Sequence, residues 1–361
     1  MYRIHNFSPG PAALPLEVLQ QAQETFIEYG SSGMSVMEMS HRSGEVERLF
    51  VETSQLLLEL LGLRSGYKVL FMGGGASMQF ALIPMNFMTH DKAGHYILSG
   101  SFAEKAFLEA RTIGDANVAA STKEKNWSSL PGIDEIRPGA NSAYLHITTN
   151  NTIEGSQFHV LPDAGHIPLI GDMTSDLLGR SIDFTKFSMF YAAAQKNLGP
   201  AGVTVAVIRE DLLERCAEQI PAIFKYSTYA QHGSLYNTPP VHSVFMMKLM
   251  LEWTKRQGGI KEMEERNSEK ASLLYDAIDR SGGFYKGMIA ESDRSKMNVT
   301  WRMLDDGLEK LFVQASERNG FEGLAGHRSV GGLRASAYNA VPVQACVELG
   351  AFLVDFQRRY G

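Results

Sequence analysis

Six short runs of the chain are apolar or β-branched almost without interruption: Lys68–Met72, His95–Leu98, Ala143–Ile147, Pro168–Gly171, Met189–Ala192 and Val203–Ile208. Each is bounded by Gly, Asp, Asn or Pro, residues that end strands. A strand with one wet face alternates polar and apolar side chains. A strand that is apolar throughout must be covered on both faces, which a mostly parallel sheet sandwiched by helices achieves. The intervals carry the helices this needs. Glu45–Leu61 sets Leu49, Phe50, Thr53, Leu56, Leu57, Leu60 and Leu61 on one face and stops at Gly62. Ser77–Met88 follows a glycine cluster, and Val241–Gly258 is long and apolar-periodic.

The pattern then changes. Ile260–Ser281 is polar and charged, with Met263, Leu273, Leu274, Ala277 and Ile278 as its inward set, and leads out of the large unit. Strand-like Met297–Arg302, a helix around Leu308–Asn319 and a final helix Val343–Tyr360 follow. That order is α+β rather than alternating α/β. With 361 residues and ~150 per domain, two domains are expected. The boundaries read as a large α/β domain over 16–260 and a small α+β domain made of 1–15 and 261–361.

Charge and motif content exclude several classes. Lys and Arg number 34 against 40 Asp and Glu, a net charge of −6, so no broad basic field exists to collect nucleic acid. A local basic pocket remains compatible. No run approaches the ~20 apolar residues that span a bilayer. Met1–Phe7 has no apolar core of a signal peptide. Cys216 and Cys346 form no Cys-x-x-Cys pair, which fits reduced thiols in a cytoplasmic protein. His159 and His166 lack zinc-ligand spacing, and neither His-Glu-x-x-His nor Gly-x-Ser-x-Gly occurs, so no metal is expected.

Four segments can carry chemistry. Lys196 follows a buried strand and precedes two glycine turns (Gln195-Lys196-Asn197-Leu198-Gly199-Pro200-Ala201-Gly202). It is either a loop lysine that snorkels to water or an enclosed amine made nucleophilic by desolvation, a Schiff-base former. Asp172, at the end of Leu169-Ile170-Gly171, is either a turn cap or an acid facing a ligand where α/β sheets bind them. Gly73-Gly74-Gly75-Ala76-Ser77 joins a strand to a helix start, as a plain turn or a phosphate cradle, and matches neither nucleotide-binding glycine motif. His41-Arg42 and His327-Arg328, with Arg334, lie in Gly/Ser-rich loops. Arginine forks bind carboxylate and phosphate, so these clusters suit a dianionic substrate.

Taken together the segments resemble the phosphoserine aminotransferases, class-V enzymes of pyridoxal phosphate fold type I. The resemblance runs from Asn6-Phe7-Ser8-Pro9-Gly10-Pro11-Ala12 to Arg334-Ala-Ser-Ala-Tyr-Asn339. It includes Ser35-Val-Met-Glu-Met-Ser-His-Arg-Ser43, His146-Ile-Thr-Thr-Asn-Asn-Thr152-Ile-Glu-Gly155 and Ser234-Leu-Tyr-Asn-Thr-Pro-Pro240. It implies that Lys196 carries the cofactor and serves as the proton-shuttling base. Asp172 would pair with the pyridine nitrogen and Thr152 with the ring hydroxyl. Ala76, Ser77 and Gln195 would contact the cofactor phosphate, joined by Asn237 and Thr238 from the other subunit of a homodimer. Arg334 would hold the substrate α-carboxylate, and His41, Arg42, His327 and Arg328 the distal anion. The implied reaction exchanges an amino group between L-glutamate and 3-phosphohydroxypyruvate for serine synthesis. Some family members also make 4-phosphohydroxy-threonine for pyridoxine synthesis.

One position departs from the family. Gly100-Ser101-Phe102-Ala103 has phenylalanine where tryptophan usually stacks on the cofactor ring. Phe102 still stacks but with less surface and no indole N–H, so weaker cofactor retention is expected. Two other readings stay open on the residues alone. One is a different fold-type-I enzyme, of the alanine–glyoxylate type or a desulfurase. The other is a non-catalytic phosphate-binding α/β protein, in which Lys196 is structural.

Overall fold

The computed structural model describes residues 3–361. Met1 and Tyr2, part of the stretch read for a targeting signal and of segment 1–15, lie outside the described residues. Strand β1 (His5–Asn6) and helices α1 (Leu16–Glu24) and α2 (Gly44–Leu60) precede the first long strand, β2 (Tyr67–Met72). Then come α3 (Gly75–Phe87), β3 (Ala93–Leu98), α4 (Ser101–Ile113), β4 (Ala116–Ser121) and β5 (Ser142–Thr148). A two-strand ribbon, β6 (Asn150–Asn151) and β7 (Ser156–Gln157), leads to β8 (Leu169–Asp172), β9 (Met189–Ala193) and β10 (Thr204–Arg209). Helices α5 (Glu210–Leu213), α6 (Tyr226–Gln231), α7 (Val241–Arg256) and α8 (Gly259–Asp279) follow. The chain ends with β11 (Tyr285–Gly287), β12 (Asn298–Met303), α9 (Asp306–Arg318), β13 (Phe321–Glu322), β14 (Leu333–Ser336) and α10 (Val343–Tyr360).

Seven strands form one sheet in the order β2-β10-β9-β8-β5-β3-β4. All run parallel except β10, which is antiparallel to both β2 and β9. The reversal follows from length: segment 194–203 is too short for a right-handed crossover, so β10 returns beside β9. Along β2 alternate residues enter different cores. Val69 and Phe71 of β2 join one cluster with α1, α2 and α7, while Leu70 and Met72 join another with α3, α4 and α6. Helices thus cover both faces, the reason the strands read as unbroken apolar runs.

All six expected strands occur, shifted by a residue or two. β4 was not expected, because its sequence ANVAAS is small, partly exposed and at the sheet edge. The expected helices occur with similar shifts, and Ser43 caps α2 through its side chain on Val46 N–H. On α8 the inward set is wider than the apolar pattern, because Asn267 and Lys270 are buried too. Lys270 is satisfied there by donating to the carbonyls of Ala337, Tyr338 and Val341.

A third core lies under the sheet β11-β12-β14 with α8, α9 and α10. Phe7 is buried in it. The start of the chain reaches this core by pairing β1 with β13, His5 beside Phe321 and Asn6 beside Glu322. Phe7 O then accepts from Ser336 N–H at 3.1 Å, and Pro9 O from the Tyr338 hydroxyl at 2.9 Å. Among the described residues no helix is long and apolar enough to cross a membrane.

Candidate active site

A cavity of about 310 Å³ opens at the carboxyl ends of the parallel strands, where such sheets bind ligands. Pro9 and Gly10 cover it from the N-terminal segment. Asp172 is the last residue of β8, and Thr148 the last of β5. Gly75, Ala76 and Ser77 open α3 after β2, and Phe102 lies in the first turn of α4 after β3. Gly74 and Gly75 have φ of +80° and +66°, the left-handed region that glycine tolerates. A Cβ on Gly74 would also lie 2.5 Å from the Met78 side chain. The glycines let the strand turn directly into the helix. The first N–H groups of α3 lack intrahelical partners and suit an anion.

Lys196 lies just past β9 in the link to β10. Ala194 O accepts from the N–H of Leu198 and Gly199, curling the link so that Lys196 faces the cavity. Its side chain is packed beneath Gly10, whose added Cβ would meet Lys196 Cγ at 3.4 Å. Lys196 is 8% exposed, so the snorkelling alternative does not hold. Its Nζ donates to Thr152 Oγ1 at 2.6 Å and lies 5.8 Å from the Phe102 ring centroid. Burial lowers its pKa from 10.5 to about 8, opposed by the nearby Asp172 carboxylate. Asp172 is 4% exposed and accepts from Thr174 N–H at 3.0 Å. Burial raises its pKa, against the pull of Thr174 and the Lys196 charge.

Arg334, on β14, brings the small sheet to the cavity. It is 5% exposed and donates from Nη1 to Thr152 O at 3.1 Å. Among the described residues its Nε has no hydrogen-bond partner and the guanidinium forms no ion pair. Burial therefore lowers its pKa, and a bound carboxylate would relieve that cost. His327 also lines the cavity, its pKa lowered by burial and by the charges of Arg334, Lys105 and Arg328.

Nine of the residues named from sequence share this cavity: Ala76, Ser77, Phe102, Thr152, Asp172, Gln195, Lys196, His327 and Arg334. Five do not line it within one chain. Arg328 is exposed beside His327. His41, Arg42, Asn237 and Thr238 lie elsewhere, with His41 Nδ1 3.3 Å from Thr238 Oγ1 and Asn237 Nδ2 donating to Thr238 O. They gather into a second polar cluster. Thr148, Asn150, Thr174 and Ser175 also line the cavity and were not singled out. Nothing distinguishes a threonine at a strand end in sequence. Thr148 Oγ1 is buried without a hydrogen-bond partner among the described residues.

The donor set suits the cofactor that the resemblance implies. It combines a helix N-terminus for phosphate, a buried acid, a ring-shaped wall at Phe102 and an amine of lowered pKa, with an orphaned hydroxyl beside them.

The family model for class-V aminotransferases matches residues 4–345. A phosphoserine aminotransferase of Niallia circulans is 52% identical over 359 residues, covering 99% of each chain. The solved phosphoserine aminotransferase of Bacillus circulans subsp. alkalophilus superposes with a TM-score of 0.98 at 52% identity, over 99% of each chain. A pyridoxal-phosphate-bound phosphoserine aminotransferase of Trichomonas vaginalis gives 0.93 at 36% identity, over 97% of this chain and 99% of that one. The chain belongs to the class-V aminotransferases.

Proposed function

We propose that the chain is a pyridoxal-phosphate-dependent phosphoserine transaminase. It exchanges an amino group reversibly between L-glutamate and 3-phosphohydroxypyruvate, giving O-phospho-L-serine and 2-oxoglutarate in serine synthesis. The observation that carries this is the enclosed amine of Lys196, which shares one cavity with the buried Asp172 and with Arg334, whose guanidinium forms no ion pair among the described residues. When bound, pyridoxal phosphate supplies an electron sink for charge developing at the substrate Cα.

The side chains divide the remaining work. The N-terminal turn of α3, with Ala76, Ser77 and Gln195, would hold the cofactor phosphate. Asp172 would hold a proton on the pyridine nitrogen, Thr152 would bond the ring hydroxyl, and Phe102 would cover the ring. Arg334 binds the α-carboxylate and so orients the Cα–H bond. Burial, which lowers the pKa of Lys196, favours the neutral amine that can take the Cα proton and return it. His327 and Arg328 receive the distal anion. One basic pocket serves both the phosphate of phosphoserine and the side-chain carboxylate of glutamate.

The cluster of His41, Arg42, Asn237 and Thr238 completes the site from a second copy in a homodimer. Its separation from the cavity of its own chain supports that reading. Segment 16–260 acts as the large domain, and 1–15 with 261–361 as the small one. The enzyme works in the cytoplasm.

The test is the visible absorption of the pyridoxal-phosphate-loaded protein before and after L-phosphoserine, without an oxo-acid. Loss of the yellow band, and its return with 2-oxoglutarate, is the expected result. A yellow protein indifferent to phosphoserine but bleached by alanine would overturn the substrate. A protein with no yellow band would leave a phosphate-binding protein.

A further inference from the structure

Glu154 has no part in the roles above, yet it is 3% exposed in the turn that carries Thr152. Its Oε1 accepts from Ser101 N–H at 2.8 Å and from Ser101 Oγ–H at 2.6 Å. Its Oε2 has no hydrogen-bond partner among the described residues. Ser101 opens α4, and the N-cap position is Gly100, which has no side chain to cap with. The cap comes instead from Glu154, 53 residues further along the chain. A Cβ on Gly100 would lie 2.5 Å from Asn151 Oδ1 and 2.7 Å from Glu154 Oε2, so the approach needs glycine there. The residue after Ser101 is Phe102.

The same turn is fastened on its other side. Glu154 O accepts from Thr300 Oγ1 at 2.7 Å. Thr300 is the register partner of Arg334, which donates to Thr152 O. Gly155, at φ +88°, allows this approach, since its Cβ would meet Thr300 Oγ1 at 2.5 Å. Turn 152–155 therefore holds Arg334 through the backbone, and Ser101, the residue before Phe102, through one buried side chain.

We infer that Glu154 is a positioning residue: by capping α4 it fixes the Phe102 ring in the cavity wall beside Lys196, and cofactor retention depends on it through Phe102. The inference rests on the reading above that Phe102 covers the cofactor ring. A buried acid with only a structural part would change stability and leave cofactor affinity alone.

The experiment measures pyridoxal phosphate affinity by absorbance titration of the full cofactor-free chain, with thermal melting as the folding control. Glu154→Ala removes the cap and is expected to raise Kd about fivefold, the loss of one helix cap. Glu154→Gln keeps an acceptor for Ser101 and is expected to stay within about twofold. In a Phe102→Ala background, Glu154→Ala is expected to add almost nothing, because both changes act at one point. An unchanged Kd in Glu154→Ala, equal losses in Ala and Gln, or full additivity with Phe102→Ala would each overturn the inference. Should Glu154→Ala fail to fold, Ser101→Ala removes one of the two hydrogen bonds from the partly buried helix side and leaves the carboxylate in place. Its Kd is expected to rise about twofold to threefold, and no rise would overturn the inference. The reading of Phe102 is tested separately: Phe102→Ala with unchanged Kd would sink that reading and this inference together. A raised Kd in Phe102→Ala with none in Glu154→Ala would sink this inference alone.

Discussion

Lys196 carries a cost of burial that a neutral side chain of like length avoids. Its pKa is about 8 in the folded chain against 10.5 for an exposed amine. Between those values the unfolded chain holds a proton that the folded chain has released. Stability of the cofactor-free protein therefore rises with pH across that window, and below about 8 the penalty is present in full. The shift corresponds to about 3 kcal/mol, at ~1.4 kcal/mol per unit. Lys196→Met removes the charge, keeps the length and loses the donor to Thr152 Oγ1, a bond worth ~1 kcal/mol. The variant should be about 2 kcal/mol more stable than the parent at pH 7 while losing transamination. Near pH 10 the advantage should vanish. Lys270, whose pKa burial also lowers, to about 7, is the same in both proteins and cancels from the difference. Urea unfolding of both cofactor-free proteins at the two pH values gives the comparison, with unchanged m-values as the control. No gain at pH 7, or the same gain at both, would refute burial as the cause of the lowered pKa.

Two further outcomes test individual side chains. Phe102→Trp should lower the pyridoxal phosphate Kd about twofold to fivefold by restoring ring area and an N–H, and an unchanged Kd would end the idea that Phe102 weakens retention. Arg42→Ala should cut kcat/KM for phosphoserine at least about tenfold more than for alanine, whose side chain has no anion, and equal losses would remove Arg42 from the distal pocket.

The large sheet was legible because burial on both faces writes itself into residue type. Edge strand β4 was not, since only one of its six residues is buried and most are small. Strand direction leaves no mark on composition, so the reversal of β10 showed only in the length of its link to β9. Lys196 and Asp172 could be read from position, as a base and an acid at the ends of apolar runs. His41-Arg42 could be read as a basic cluster, but Asn237 and Thr238 came from resemblance alone, which names residues without saying from which copy of the chain they act. Glu154 left no signal among 40 acidic residues, because its burial and its bonds to Ser101 exist only in three dimensions.

The pairing of β1 with β13 sets the order in which the molecule can be finished. A ribosome releases His5 and Gly10 first and Phe321 and Arg334 almost last. Until then the first strand has no partner strand and the small sheet that carries Arg334 is missing, so the cavity lacks that wall through nearly all of synthesis. The entropy of joining the two ends grows only with the logarithm of their separation, so the late closure is slow to reach but not costly to hold. A chain stopped short of Arg334 would own the lysine, the aspartate and the glycine turn, and lack the arginine of the cavity wall.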